Sequence, residues 1–149
     1  MIFRQALAND FEQVQKCIAA AFTPYRELLG VSPYALSVDF RALISQKEIF
    51  MLQAKATSTI IGVVRLAQKD QHIEIANMAI NPDFQGRGFG KQILTFAKNF
   101  ARKRGLCEVR LSTNADLPSL LVFYSKQGFI ETHREQREDR TIVFFTMAI

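Results

Sequence analysis

The stretch Gln85-Gly86-Arg87-Gly88-Phe89-Gly90 lies between two segments of different periodicity. The apolar run over residues 73–80 is typical of a buried strand, and residues 91–104 repeat their apolar positions at helical spacing. Glycines between a strand and a helix start leave several backbone N–H groups pointing at one spot, where the helix dipole adds partial positive charge. The stretch therefore predicts a binding site for a phosphate or pyrophosphate.

Two other glycine-rich nucleotide loops fail on spacing. A dinucleotide fingerprint that begins at Gly86 and Gly88 requires glycine at position 91, where the chain has Lys91. A Walker loop that ends in Gly90-Lys91 requires glycine at position 85 and Ser or Thr at position 92, and both positions hold glutamine. Neither a Rossmann nor a Walker site is predicted here.

The bulk composition fits one compact domain over residues 1–149, since 48% of the chain is apolar. No apolar run approaches the ~20 residues that cross a bilayer, and the N-terminus turns polar too early for a signal peptide. Cys17 and Cys107 stand far apart, and His72 and His133 lack metal-ligand partners at useful spacing. We expect buried, reduced thiols in a cytoplasmic protein, with no metal and no membrane partner.

The net charge of +5 is concentrated around the glycine stretch. Residues 85–110 carry seven basic side chains against Glu108 alone, whereas the rest of the chain is close to neutral. Such a field attracts a polyanionic ligand. A nucleic-acid binder is the alternative for this basic segment. The sequence has no recognisable helix-turn-helix or RNP motif, so no nucleic-acid partner is predicted.

Periodicity and turn residues predict elements in the order β-α-α-β-β-β-α-β-α-β-β. The first helix is expected to end at Phe22, with a shaped loop or broken helix over residues 23–33 and a second helix over residues 34–46. The strands on either side of the glycine stretch and its helix should run parallel, because such crossovers are right-handed. The predicted class is α/β, with a mixed and mostly antiparallel sheet. Residues 141–147 are expected to form an edge strand that supports a possible homodimer.

Two motifs carry a resemblance to a known family. NMAINPDFQGRGFGKQIL, over residues 77–94, looks like the central cofactor motif of the GNAT acetyltransferase superfamily, with its Q/R-x-x-G-x-G/A signature at Gln85, Gly88 and Gly90. LSTNADLPSLLVFYSKQGF, over residues 111–129, is similar to the motif that follows it. The resemblance covers essentially the whole chain. It implies a GNAT-like sheet with a splayed parallel central pair, and acetyl-CoA as the cofactor.

The glycine stretch and the strand before it are expected to hold this cofactor. The backbone amides of residues 87–90 are predicted to cradle the pyrophosphate, with Arg87 or Lys91 approaching a phosphate. By the resemblance, the end of the central strand offers main-chain groups to the pantetheine arm, and the Met78 amide donates to the thioester carbonyl. The cofactor-binding set is Met78, Ala79, Ile80, Gln85, Gly86, Arg87, Gly88, Phe89, Gly90, Lys91, Asn114 and Tyr124.

The resemblance also implies roles in proton transfer. Glu74 lies where one GNAT subgroup keeps a catalytic glutamate, and it shares a strand face with Met78. It would take the amine proton directly or through water; an exposed or salt-bridged carboxylate is the alternative. Tyr124 lies where the family usually places a general acid, with a core tyrosine beside Phe123 as the alternative. Asn114 is predicted to bond the pantetheine or the substrate-side loop, or else to cap a turn.

The sequence says least about the acceptor, the molecule that would receive the acetyl group. Tyr25, Arg26, Tyr34 and Asp39 lie in the segment that usually walls the acceptor site in this family. Asp39 would pair with a cationic amine and the tyrosines would offer a cation–π surface; helix capping and packing explain the same residues. The resemblance implies an N-acetyltransferase that acts on a small amine or amino-acid-like acceptor in a ternary complex. A protein lysine or N-terminus as acceptor, and an idle fold that senses acyl-CoA, are the alternatives.

Overall fold

The computed structural model describes residues 1–30 and 32–149. Its strands are β1 (Ile2–Gln5), β2 (Ile49–Gln53), β3 (Ile60–Gln68), β4 (His72–Ile80), β5 (Glu108–Asn114), β6 (Ile130–Gln136) and β7 (Thr141–Ala148). Its helices are α1 (Phe11–Leu29), α2 (Phe40–Ser45), α3 (Phe89–Lys103) and α4 (Pro118–Lys126), and 3₁₀ turns lie at Ala8–Asp10, Tyr34–Ser37 and Pro82–Phe84.

The strands form a sheet in the order β1-β2-β3-β4-β5-β7-β6. β4 and β5 run parallel, while the pairs β1–β2, β2–β3, β5–β7 and β6–β7 run antiparallel. The predicted element order, the parallel pair and the mixed α/β class are therefore confirmed. The chain divides into two compact units, Met1–Leu66 with Asn77–Leu94 and Ala67–Ala76 with Thr95–Ile149.

The first unit is built around the apolar stripe of α1. Its buried residues Val14, Cys17, Ile18 and Ala21 recur at spacings of three and four, so they share one face of the helix. That face packs in a cluster with residues from β2, β3 and β4, which include Ile49, Met51, Val63 and Ala79. Each large apolar side chain buried in this way contributes about 1.5–3 kcal/mol.

Helix α1 is longer than its sequence predicts. It continues past Phe22 to Leu29, and Gly30 ends it with φ 72° and an N–H that donates to the Arg26 carbonyl at 3.1 Å. The predicted loop or broken helix is therefore wrong over residues 23–29, and position 31 lies outside the described residues. Pro24 removes the donor to the Ala20 carbonyl, but both residues are exposed, so water can replace that bond.

The predicted second helix is divided in two. The turn Tyr34–Ser37 is separated from α2 by extended Val38, and α2 begins after Asp39. The Asp39 carboxylate accepts from the N–H groups of Arg41 at 3.1 Å and Ala42 at 3.3 Å. This side chain satisfies donors that a helix start leaves unpaired, and it therefore fixes the start of α2.

Gly62 on β3 allows a close approach inside the first unit. A Cβ at this position would lie 3.0 Å from the Ala79 carbonyl oxygen and 3.0 Å from Ile93 Cδ1. We expect Gly62→Val to lower the free energy of unfolding by about 2–3 kcal/mol, because backbone atoms must move to accept the side chain. Urea denaturation measures the loss, with Gly62→Ala as a smaller graded step. An unchanged midpoint for both variants would show that the approach is not tight.

The second unit contains β5, β6 and β7. β7 pairs with β5 from Glu108↔Ala148 to Asn114↔Ile142, and with β6 on its other side. The expectation that residues 141–147 form an edge is therefore wrong, because strand order depends on pairing that local sequence does not encode. β6 is the edge strand beside β7, and β1 is the edge at the other end of the sheet. All residues of β6 are exposed, and it carries ion pairs such as Arg134–Glu131 at 3.0 Å. Such charges discourage sheet extension. The homodimer stays a prediction without this support.

Candidate active site

The turn between β4 and α3 exposes a run of main-chain donors. The 3₁₀ turn ends where the Gln85 N–H donates to the Pro82 carbonyl at 3.3 Å, and the next such bond joins the Gln92 N–H to the Gly88 carbonyl at 3.3 Å. Between them, the N–H groups of residues 86–91 donate to no other group in the described parts of the chain. A row of free donors at a helix start is suited to an anion.

The glycines give this turn its shape. Gly86 has φ 76° and Gly88 has φ 85°, in the left-handed region that other residues rarely adopt. A Cβ at either position would meet nothing within 4 Å, so neighbouring protein atoms do not exclude it. The space in front of these two glycines is therefore open to a ligand.

Side chains tie the turn to the strands beneath it. The Gln85 amide donates to the Ile80 carbonyl at 3.0 Å, and the Asn81 amide donates to the Ile60 carbonyl at 3.1 Å. Asn81 also caps the 3₁₀ turn, because its Oδ1 accepts from the Asp83 N–H at 3.1 Å. The turn is thus held by polar side chains on its strand side while its donors face outward.

Two cations and two aromatic rings flank the free donors. Arg87 and Lys91 are exposed, and the Arg87 guanidinium lies 5.5 Å from the centre of the Phe84 ring. Phe84 in turn meets Phe89 edge to face, with ring centres 6.1 Å apart. Both cations are exposed beside the free donors, and their contact with a phosphate stays a prediction.

The ladder between β4 and β5 ends before either strand does. The parallel ladder joins His72–Ile75 to Glu108–Leu111 and ends there, although β4 continues to Ile80 and β5 to Asn114. This early end of the ladder agrees with the predicted splay of the central pair. Met78 and Ile80 are half-buried on one face of β4, and Ala79 is buried on the other.

Glu74 is an available carboxylate. It is half-buried on the β4 face that it shares with Met78, and in register it lies opposite Arg110. Arg110 bonds instead to Glu108, with Nε and Oε1 2.6 Å apart, and this bond lowers the pKa of the Glu108 carboxyl. Within residues 1–30 and 32–149, Glu74 makes no hydrogen bond or ion pair. The salt-bridged alternative for Glu74 is therefore not observed.

Tyr124 is held in an aromatic cluster of the second unit. It is 7% exposed, and its ring centre lies 5.3 Å from Phe123, 6.0 Å from Phe129 and 5.9 Å from Phe145. This packing is that of a core tyrosine, and it fixes the direction in which the ring points. Its role as an acid stays a prediction.

Asn114 makes the turn-capping bond that was the alternative to cofactor binding. Its Oδ1 accepts from the Asp116 N–H at 2.8 Å, at the point where β5 leads into α4. Its Nδ2 group donates to no protein atom in the described ranges. A contact from Nδ2 to the pantetheine stays a prediction.

The predicted acceptor residues all lie in the first unit. Tyr25 on α1 meets Phe22 edge to face with ring centres 5.8 Å apart, and burial raises the pKa of its hydroxyl. Arg26 is exposed on the same helix, and Tyr34 is 70% exposed in the 3₁₀ turn. Asp39 caps α2, which is the helix-capping role given as the alternative to acceptor binding.

One polar residue of β4 escaped the sequence reasoning. Asn77 is buried on the strand face that it shares with Ile73, Ile75 and Ala79, and its Oδ1 has no hydrogen-bond partner in the part of the chain described. An amide within the apolar run IEIANMAI was the available signal.

The two thiols differ in reactivity, and neither is placed as a nucleophile. Cys17 is buried, and burial raises its pKa to about 11; Cys107 is exposed, contrary to expectation, because it lies just before β5 begins. At pH 8 about one Cys17 in a thousand is a thiolate, and this fraction grows as the pH approaches 11. We expect one fast-reacting thiol per native chain with a disulfide reagent at pH 8, lost in Cys107→Ser. Fast labelling of Cys107→Ser would contradict the assignment.

Among residues 1–30 and 32–149, no three His, Cys, Asp or Glu side chains are grouped to hold a metal ion. Over the same residues, none of the helices has both the length and the apolar character that a bilayer crossing requires. A cytoplasmic location stays a prediction from cysteine usage.

Comparisons with known proteins agree with this geometry. Residues 30–149 match the acetyltransferase (GNAT) domain family. The chain is 31% identical over 85 residues to the spermidine N(1)-acetyltransferase of Thermoplasma acidophilum, and 34% identical over 91 residues to the uncharacterized N-acetyltransferase YhdJ of Bacillus subtilis. These alignments cover 57% and 56% of this chain but only 53% and 64% of the two relatives, so the chain spans less than two thirds of either.

A solved structure gives the same fold. The PaiA N-acetyltransferase of Thermoplasma acidophilum, in complex with coenzyme A, superposes with a TM-score of 0.81 over 99% of this chain and 98% of its own. At 19% identity this likeness supports the fold alone. The family match, which covers more than half of the chain, confirms the predicted family: the chain belongs to the GNAT acetyltransferase family.

Proposed function

We propose that the chain transfers an acetyl group from acetyl-CoA to the primary amine of a small molecule. The observation that supports this most directly is the row of unpaired N–H groups over residues 86–91 at the start of α3. These donors, with exposed Arg87 and Lys91 beside them, fit a pyrophosphate. When bound, the cofactor supplies an acyl thioester whose carbonyl carbon is open to attack.

The chain's own groups would polarise that carbonyl and hold the arm. The β4 main chain beyond Ile75 is offered to pantetheine, because the ladder with β5 ends at that residue. The Met78 N–H is the proposed donor to the thioester oxygen, where negative charge develops during attack. Since this donor belongs to the backbone, the side chain of Met78 acts only through packing.

Glu74 is the proposed proton acceptor for the amine. An alkylamine has a pKa near 10, so about one molecule in a thousand is neutral and nucleophilic at pH 7. Glu74 makes no hydrogen bond or ion pair among the described residues, and it shares the face of β4 that carries Met78. It takes the proton directly or through an ordered water.

Tyr124 is proposed to stabilise the departing thiolate. The resemblance assigns it this role, and its aromatic cluster holds the ring in one position. An ordinary tyrosine is a weaker acid than an ordinary thiol, so full proton transfer is uphill by roughly 2 kcal/mol. A hydrogen bond to the charge that develops on sulfur meets this limit. Cys17 is buried with a raised pKa, and we propose direct attack in a ternary complex, without an acyl-enzyme.

The acceptor is proposed to be a small amine or an amino-acid-like amine. The relative from Thermoplasma acidophilum named for spermidine supports a polyamine as the first candidate. Half-buried Tyr25 offers an aromatic face to a cationic chain. The Asp39 carboxylate already accepts hydrogen bonds as the cap of α2. Any contact from Asp39 to the amine substrate would use the lone pairs that this cap leaves free.

The test combines cofactor binding with product detection. Calorimetry with coenzyme A measures the first step, and mass spectrometry detects the acetylated product from acetyl-CoA with spermidine, lysine, a small aryl alkylamine and a peptide with a free N-terminus. We expect binding in the micromolar range and product with a small amine. Tight binding without any product would favour the acyl-CoA sensor, and product from the peptide alone would favour a protein acceptor. No binding by folded protein would refute the proposal.

A further inference from the structure

Glu108 on β5 uses both of its carboxylate oxygens inside the second unit. Its Oε1 accepts from Nε of Arg110 at 2.6 Å and also pairs with Nη2 of the same guanidinium. Its Oε2 accepts from the Thr146 hydroxyl at 3.1 Å, and Thr146 lies on β7 in register with Arg110. The guanidinium is therefore held by a carboxylate that is itself fixed from the next strand.

The same guanidinium has a second carboxylate within reach. Glu74 on β4 lies in register with Arg110 in the parallel ladder, and neighbouring strands are about 4.8 Å apart. An extended arginine side chain spans more than this distance, so Arg110 can reach the Glu74 carboxylate. In the structure Arg110 pairs with Glu108 instead, and Glu74 makes no hydrogen bond or ion pair among residues 1–30 and 32–149.

Stability does not account for this arrangement. The Arg110 side chain is 51% exposed and that of Glu108 is 24% exposed, and an ion pair with this access to solvent contributes little to the free energy of folding. Its larger consequence is local and electrostatic. A cation beside a carboxylate favours the charged form and makes that carboxylate a weaker proton acceptor. The pair with Glu108 keeps such a cation away from Glu74.

We propose that Glu108 is a positioning residue, which holds the Arg110 guanidinium away from Glu74 and so keeps Glu74 free to accept the amine proton. This inference rests on the proposed function, in which Glu74 takes that proton. The efficiency of a general base follows its basicity, so an ion pair with Arg110 would slow proton transfer. The pair would also occupy carboxylate lone pairs that the proton needs.

The other charged groups near Glu74 do not replace Arg110. Besides Glu74, the titratable side chains on β3, β4 and β5 and in the turn between β3 and β4 are Arg65, Lys69, Asp70, His72, Glu108 and Arg110. Partial burial, and then the Arg110 charge, lower the pKa of His72, so its imidazole is neutral near pH 7. Lys69 and Asp70 are exposed in the turn, and Arg65 bonds to Glu48 at 2.8 Å. Arg110 is therefore the cation whose placement matters most for Glu74.

The first test is Glu108→Met, which keeps an unbranched chain of similar length and removes both oxygens. NMR of the Glu74 carboxyl carbon in the protein without substrates, assigned with Glu74→Gln, should give a titration midpoint about one pH unit below that of the wild type, because released Arg110 pairs with Glu74. We expect kcat for the panel amine that reacts fastest to fall about tenfold at pH 7, and the acidic limb of its profile to move to lower pH. The Kd for coenzyme A should stay within about twofold.

The second test removes the cation as well. In the double variant with Glu108→Met and Arg110→Gln, the Glu74 midpoint and kcat should both return close to the wild-type values, which a merely structural loss at Glu108 would not do. Glu108→Gln keeps an acceptor oxygen without the charge, so it should give a smaller change of the same sign, and it serves if Glu108→Met does not fold. Glu131→Gln is the matched control. It frees Arg134, but β5 and β7 separate β6 from β4, so the midpoint and kcat should not change.

Three results would overturn the inference. An unmoved Glu74 midpoint in both Glu108 variants would show that the released guanidinium turns to solvent. A moved midpoint with an unchanged kcat profile would show that Glu74 accepts no proton in the reaction. A double variant as slow as Glu108→Met would show that the loss does not come from Arg110. Absence of product with the wild-type chain would refute the proposed function, and the NMR titration, which needs no substrate, then decides whether Glu108 positions Arg110.

Discussion

Tyr124→Phe should lower kcat for amine acetylation about 100-fold, while KM for the amine and the Kd for coenzyme A change little. The variant removes only the hydroxyl. The ring keeps its contacts with Phe123, Phe129 and Phe145, so the aromatic cluster and the fold should persist. The hydroxyl is proposed to act on charge that appears at sulfur as the thioester breaks, and an interaction made only in the transition state affects kcat most.

Steady-state kinetics over a range of both substrates measure this effect. Thermal unfolding of the variant and its calorimetric titration with coenzyme A are the controls for folding and cofactor binding. A kcat equal to that of the wild type would remove Tyr124 from the mechanism. A large rise in the Kd for coenzyme A with an unchanged kcat would make it a binding residue only.

Gly88→Val should weaken coenzyme A binding about 100-fold, which corresponds to about 2.7 kcal/mol. A Cβ at Gly88 would meet no protein atom within 4 Å, so we expect the added side chain to collide with the ligand and not with the protein. Its φ of 85° adds backbone strain of roughly 1–2 kcal/mol for a residue with a Cβ. The variant therefore separates two effects, strain in the chain and obstruction of the bound pyrophosphate.

Gly105→Val is the matched control for this prediction. Gly105 has φ 69° and also lacks protein atoms within 4 Å of a built Cβ, but it follows the other end of α3. It should lose a similar amount of stability and keep its affinity for coenzyme A. Isothermal titration of both variants measures the Kd for coenzyme A, and urea denaturation measures the loss of stability. Equal Kd values for Gly88→Val and the wild type would place the pyrophosphate elsewhere.

The sequence predicts the cofactor side of this protein well because local rules govern it. A strand, a glycine turn and a helix follow one another within residues 73–104, and each has its own short-range signal. Positive φ at Gly86 and Gly88 follows from the same chemistry that suggested the site. No long-range packing is needed to anticipate them.

In α1, β7 and at Asn77, the structure depends on tertiary contacts that the local sequence pattern does not encode. Pro24 suggests a break, but an exposed proline late in α1 costs little when the apolar stripe before it is already packed. The position of β7 between β5 and β6 depends on which strands pair, and its sequence suits an edge strand equally well. Asn77 becomes visible only when burial shows that its oxygen has no donor.

The outermost strand β6 has a practical consequence for handling the protein. Arg134 holds the pKa of Glu131 below its usual range, and His133 does the same for Glu135, so both carboxylates stay charged in mildly acidic solution. Those charges disfavour the pairing of a strand from another chain with this edge of the sheet. Strongly acidic buffers neutralise these carboxylates but leave Arg134 charged, so the edge of the sheet changes from mixed charge to positive charge and copies of the chain still repel one another there.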